Sequence, residues 1–66
     1  MKHRDLIKLL ITNGFILDRI GGHLIYKKGP ITVAVPNHAT RGHSIGLIRR
    51  LLTQAGFDKQ FIRKYI

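Results

Sequence analysis

An α+β fold with the element order α-β-β-β-α is predicted by three features of this 66-residue chain. Aliphatic residues recur at helical spacing near each end. Between those stretches a run alternates with period two, and glycine or proline pairs fall at short intervals. Three short strands joined by tight turns must pair as an antiparallel meander, and two amphipathic helices then cover one face of that sheet.

The first helix is expected from about Lys2 to Asn13, with Leu6, Ile7, Leu10 and Ile11 on one stripe and Gly14 where a left-handed stop belongs. Phe15 to Ile20 has strand length and strand composition, and Gly21-Gly22 turns it back into a second strand, His23 to Lys28. Gly29-Pro30 closes that strand. Ile31, Val33 and Val35 alternate with Thr32 and Ala34 in the third, which Pro36-Asn37 ends. Asn37 to Ser44 reads as a loop, with Ser44 placed to cap the helix Ile45 to Ala55, whose stripe is Leu47, Ile48, Leu51, Leu52 and Ala55. Asp58 looks like the cap of a last short helix in which Phe61, Ile62 and Tyr65 pack back.

Length permits one domain, residues 1–66, with a small core. No segment approaches the roughly 20 apolar residues of a membrane span, so no membrane contact and a cytoplasmic location are expected. Composition removes whole reaction classes. The only acids are Asp5, Asp18 and Asp58, which disfavours carboxylate-bound magnesium sites and paired-carboxylate glycosidases. Cysteine is absent and Ser44 is the only serine, so thiol and Ser-His-Asp chemistry are poorly supplied. Twelve Lys and Arg against three acids give a net charge of +9, which calls for a polyanionic partner, with nucleic acid preferred.

Proton chemistry is left to four histidines and two tyrosines. His23 follows two glycines that allow close approach, and packing Leu24 and Tyr26 on the helices turns His23 to the opposite face. The competing reading is an ordinary surface histidine beside a hairpin turn. His38 and His43 flank a loop with Arg41 and, with His23, are the nearest thing to a zinc set. Their spacing is nonspecific and no cysteine or nearby acid completes it, so neither metal nor cofactor is expected. His3, read as lying in a frayed terminus, receives no role. Basic residues group on the first helix, on the hairpin (Arg19, Lys27, Lys28) and around the second helix (Arg41, Arg49, Arg50). Phe15, Phe57 and Phe61 lack the paired pattern of a base-stacking platform and read as core.

The opening Asp5-Leu6-Ile7-Lys8-Leu9-Leu10, Asn13-Gly14-Phe15, Gly22-His23 with Tyr26 three residues on, and Val33-Ala34-Val35-Pro36 occur in a recognisable order. Ile45-Gly46, Leu51-Leu52 and Gln54-Ala55-Gly56-Phe57 continue it. Over about residues 3–57 the sequence resembles the HicA (YcfA-like) mRNA interferase toxins of type II toxin–antitoxin systems, leaving 58–66 as a C-terminal extension. The resemblance implies a double-stranded-RNA-binding-like fold, RNA cleavage by a histidine at the position of His23, and an acidic HicB-type antitoxin bound over it. Two positions depart from the family pattern: Gly22 stands where a small polar residue, often Ser, is usual, and Leu47 where Thr is common.

The expected function is therefore a metal-independent endoribonuclease acting on mRNA. RNA brings its own nucleophile, the 2′-OH, so the protein need only accept one proton, donate another and stabilise phosphorane charge. His23 is the expected general acid or base, because imidazole titrates near neutrality. Lys27, Lys28, Arg41 and Arg19 are the expected RNA-binding residues, and Tyr26 is read as a packing residue. The alternatives are a noncatalytic RNA-binding module of the same fold, and a DNA-binding module with Arg49 and Arg50 in the major groove.

Overall fold

The computed structural model describes residues 1–37 and 42–66. Its elements run α1 (His3–Thr12), β1 (Ile16–Ile20), β2 (His23–Lys28), β3 (Ile31–Pro36), α2 (Ile45–Gln54) and α3 (Lys59–Arg63). The strands form one antiparallel sheet in the order β1-β2-β3, as the tight turns require. The α-β-β-β-α architecture with a short C-terminal helix agrees with the expected fold. Differences are confined to single residues at element ends, as where Pro36 still pairs with His23 and so extends β3 by one residue.

Local chemistry sets the ends of the helices. α1 stops at Gly14 and α2 at Gly56, both with φ above +90°, a conformation that other residues adopt only under strain. Ser44 accepts the Leu47 N–H at 3.2 Å and Asp58 accepts the Phe61 N–H at 2.7 Å, each satisfying a helix-start donor that would otherwise lack a partner.

The core lies between the sheet and α1 and α2, where Leu6, Leu10, Val33, Val35, Ile48 and Leu52 are fully buried. Tyr26 and Phe15 join them, and Ile62 of α3 shows that the extension contributes to the same core. Phe61 is half-buried and stacks on Phe57 with ring centroids 4.4 Å apart, while Tyr65, expected to pack back, stays exposed at its outer edge.

One expectation fails in an informative way. Ile11, assigned to the buried stripe of α1, is 55% exposed, and all five residues of β1 are exposed. Leu17 and Ile20 pair with Tyr26 and Leu24 and thus lie on the helix side of the sheet, yet the helix layer ends short of them. Periodicity identifies a face of an element and cannot say whether another element reaches it.

Candidate functional site

With Tyr26 buried and Leu24 partly buried on the helix side, strand alternation places His23, Ile25 and Lys27 on the open face. His23 opens β2 and is exposed. Its cross-strand partner is Pro36, and its carbonyl accepts the Gly21 N–H at 3.1 Å. A methyl group built on Gly22 would meet nothing within 4 Å among the described residues, which leave the imidazole approachable from the turn.

Asn37 holds that turn. Its backbone N–H donates to the Gly22 carbonyl at 3.2 Å and its side-chain Nδ2 to the Gly21 carbonyl at 2.9 Å. The end of β3 is thereby tied to the β1–β2 turn, fixing the backbone on which His23 stands. Sequence reasoning read Asn37 only as the start of a loop, because a clamp between residues 16 positions apart leaves no local signal.

The cations expected to bind RNA divide into three groups. Arg19 pairs with Ile25 on the open face, which makes it a diagonal neighbour of His23, about 7–8 Å away between Cα atoms. Lys27 shares the face but stands four residues along the strand, about 13 Å from His23. Its Nζ is 3.4 Å from Asp18 Oδ2, a half-exposed pair worth little in water. Alternation with Leu17 places Asp18 on this face, and the bulge between Leu17 and Arg19 brings Arg19 onto it as well, opposite Ile25. Lys28 is not brought together with His23. It lies on the helix side at the far end of β2, with Nζ 5.8 Å from the Phe15 ring centroid. Arg41 and His38 lie outside the described residues.

Tyr26, His3 and His43 are engaged elsewhere. Tyr26 is 3% exposed, and burial pushes its phenol pKa up, as suits a packing residue. His3 is not frayed. It is the first residue of α1, and its Nδ1 lies 2.8 Å from His43 Nε2, within hydrogen-bond distance. Burial, with a smaller contribution from the charge of His3, lowers the pKa of His43. Among the described residues no three His, Cys, Asp or Glu side chains cluster as a metal site.

The arrangement is thus an exposed imidazole on an open, cationic sheet face, carried by the order α-β-β-β-α. The family model for the HicA toxin of bacterial toxin–antitoxin systems matches residues 3–57. The chain belongs to the HicA toxin family. No curated protein and no solved structure matches it significantly. As a HicA-family chain it is the toxin member of a toxin–antitoxin pairing, and the matched region spans everything from α1 to the end of α2. Residues 58–66, outside the match, nevertheless supply Ile62 to the core. No helix among the described residues is long and apolar enough to cross a membrane.

Proposed function

We propose that this HicA-family toxin is a metal-independent endoribonuclease that cleaves mRNA, with His23 as the general acid or base and no cofactor. The carrying observation is the exposed His23 on the open sheet face, diagonal to Arg19, beside a turn that no side chain of the described residues obstructs. The ribose 2′-OH attacks the adjacent phosphorus and loses its proton. The P–O5′ bond breaks and the leaving oxygen gains a proton, giving a 2′,3′-cyclic phosphate and a 5′-OH. His23 serves one of those transfers, while Arg19 meets the non-bridging oxygens where charge accumulates. Lys27 holds a phosphate further along the strand, Arg41 is retained as a contact, and Lys28 contributes only to the long-range field.

An acidic HicB-type antitoxin lying over His23 is the proposed control, because such a partner both occupies the phosphate path and neutralises the +9 field. So small a core leaves little scope for inhibition by internal rearrangement.

The test is a labelled transcript incubated with purified protein in EDTA, beside the same sequence made of deoxynucleotides. Cleavage of the ribose strand alone, ending in a cyclic phosphate, is expected. Activity that needs added Mg²⁺ or Zn²⁺ would contradict the mechanism, and RNA that is bound but left whole would favour the noncatalytic RNA-binding module.

A further inference from the structure

The helix layer over this sheet has an empty place. Leu17 and Ile20 face the helix side of β1 at 40% and 67% exposure, and Ile11 of α1, 55% exposed, shares a groove with Leu24, the cross-strand partner of Ile20. Ile7, Ile11 and Leu24 line an adjoining groove of about 480 Å³ whose rim carries His3, Arg4 and Lys8. Aliphatic surface of this extent on so small a chain is unusual unless something covers it.

We propose that this groove seats an amphipathic helix of the antitoxin, its aliphatic stripe on Ile11, Leu17 and Ile20 and its acidic flank against Arg4 and Lys8. The inference rests on the toxin–antitoxin pairing and adds where, and by what chemistry, the partner grips. Four observations select that occupant. Ile7 and Ile11 are one helical turn apart, as are Arg4 and Lys8, so α1 presents an aliphatic row beside a basic one along about 10 Å. That is the pattern a parallel or antiparallel helix with matching apolar and acidic rows would meet. An added strand fits less well, because the bulge between Leu17 and Arg19 breaks the regular edge that pairing requires. A second copy is opposed by the +9 charge on each chain. RNA finds neither a phosphate path nor an aromatic platform between aliphatic side chains. Because β1 is an edge strand, a partner holding its inner face from this groove can also extend over the open face toward His23.

The test is coexpression with the protein encoded by the neighbouring reading frame, followed by measurement of affinity for the wild type and for the double variant Ile11→Glu/Ile20→Glu. Both positions are exposed, so the circular dichroism spectrum and RNA cleavage should be kept while affinity for the partner falls at least about 100-fold. Equal affinity of variant and wild type would overturn the proposal while leaving the pairing intact. A wild type that binds no partner would instead overturn the pairing itself. Sedimentation of the free chain as a dimer that the variant dissolves would assign the groove to a second copy, and loss of RNA affinity in the variant would assign it to nucleic acid. Either result refutes the antitoxin seat. Because the chain has no cysteine, Ile20→Cys accepts a single environment-sensitive fluorophore. Its emission should shift to the blue in the complex, and an unshifted emission in a formed complex would also refute the proposal.

Discussion

The side-chain Nδ2 of Asn37 donates to the Gly21 carbonyl at 2.9 Å, tying the residue that follows β3 to the turn that presents His23. With the backbone bond from Asn37 N–H to the Gly22 carbonyl, this clamp holds the turn at two successive carbonyls. Asn37→Ala removes the side-chain half only. The bond is exposed, so stability should fall by less than about 1 kcal/mol, while RNA cleavage should fall about tenfold because the imidazole is no longer held in one place. Urea denaturation and single-turnover cleavage measured on one preparation separate the two effects. An unchanged rate would remove Asn37 from the positioning of the site.

Arg19, Lys27 and Asp18 should separate by distance from His23. Arg19→Gln should lower the cleavage rate with little change in salt dependence beyond one contact. Lys27→Glu should chiefly weaken binding and flatten the log-log salt slope by about 0.7 per lost contact. Asp18→Asn releases Lys27 from its 3.4 Å partner and removes the only acid of β1, so RNA affinity should rise a few-fold with stability altered by less than about 1 kcal/mol. Fluorescence anisotropy on a non-cleavable 2′-deoxy analogue measures the binding of all three variants, and single-turnover cleavage of the ribose transcript measures the rate of Arg19→Gln. A larger binding loss from Lys28→Glu than from Lys27→Glu would contradict the division of faces.

Gly22 has no neighbour within 4 Å of an added methyl group and is not among the glycines held at positive φ. Gly22→Ser should therefore be accepted without strain and raise stability by up to about 1 kcal/mol through the unfolded chain. The hydroxyl it places beside His23 should leave cleavage at least as fast. Slower cleavage by a folded variant would mean that RNA itself occupies the space.

His43 supplies a pH dependence of stability. The pKa of His43 is lowered on folding, so the unfolded chain binds more protons just below its ordinary value near 6.5, and stability falls as pH drops through that value toward the folded pKa. Above the ordinary value both states are neutral and the effect vanishes. His43→Gln should flatten the decline, at a cost of about 1 kcal/mol or less at pH 7.5 from the lost 2.8 Å bond. Urea midpoints at pH 7.5 and 5.5 provide the comparison, and a decline of equal size in the variant would place its source elsewhere.

The sequence reveals relations carried by short-range pattern. Gly14 and Gly56 end the helices and Ser44 and Asp58 cap them. The alternation of Leu24 and Tyr26 against His23 sends the histidine to the open face. Three other relations depend on pairing across the chain and have no local trace. The bulge in β1 turns Arg19 onto the open face opposite Ile25, His3 meets His43 across 40 positions, and Asn37 reaches back to Gly21. Lys28 marks the limit of adjacency in sequence. It follows Lys27 directly, yet strand alternation puts it on the other face, over Phe15.

The central claim is that His23 performs chemistry on RNA, and one comparison tests it most directly. Wild type and His23→Ala are incubated in EDTA with an end-labelled transcript, after circular dichroism has shown both to be folded. An exposed side chain contributes little to packing, so the variant should keep its fold and its RNA affinity while cleavage falls by at least about 100-fold. A folded His23→Ala that cuts the transcript as fast as the wild type would contradict the account.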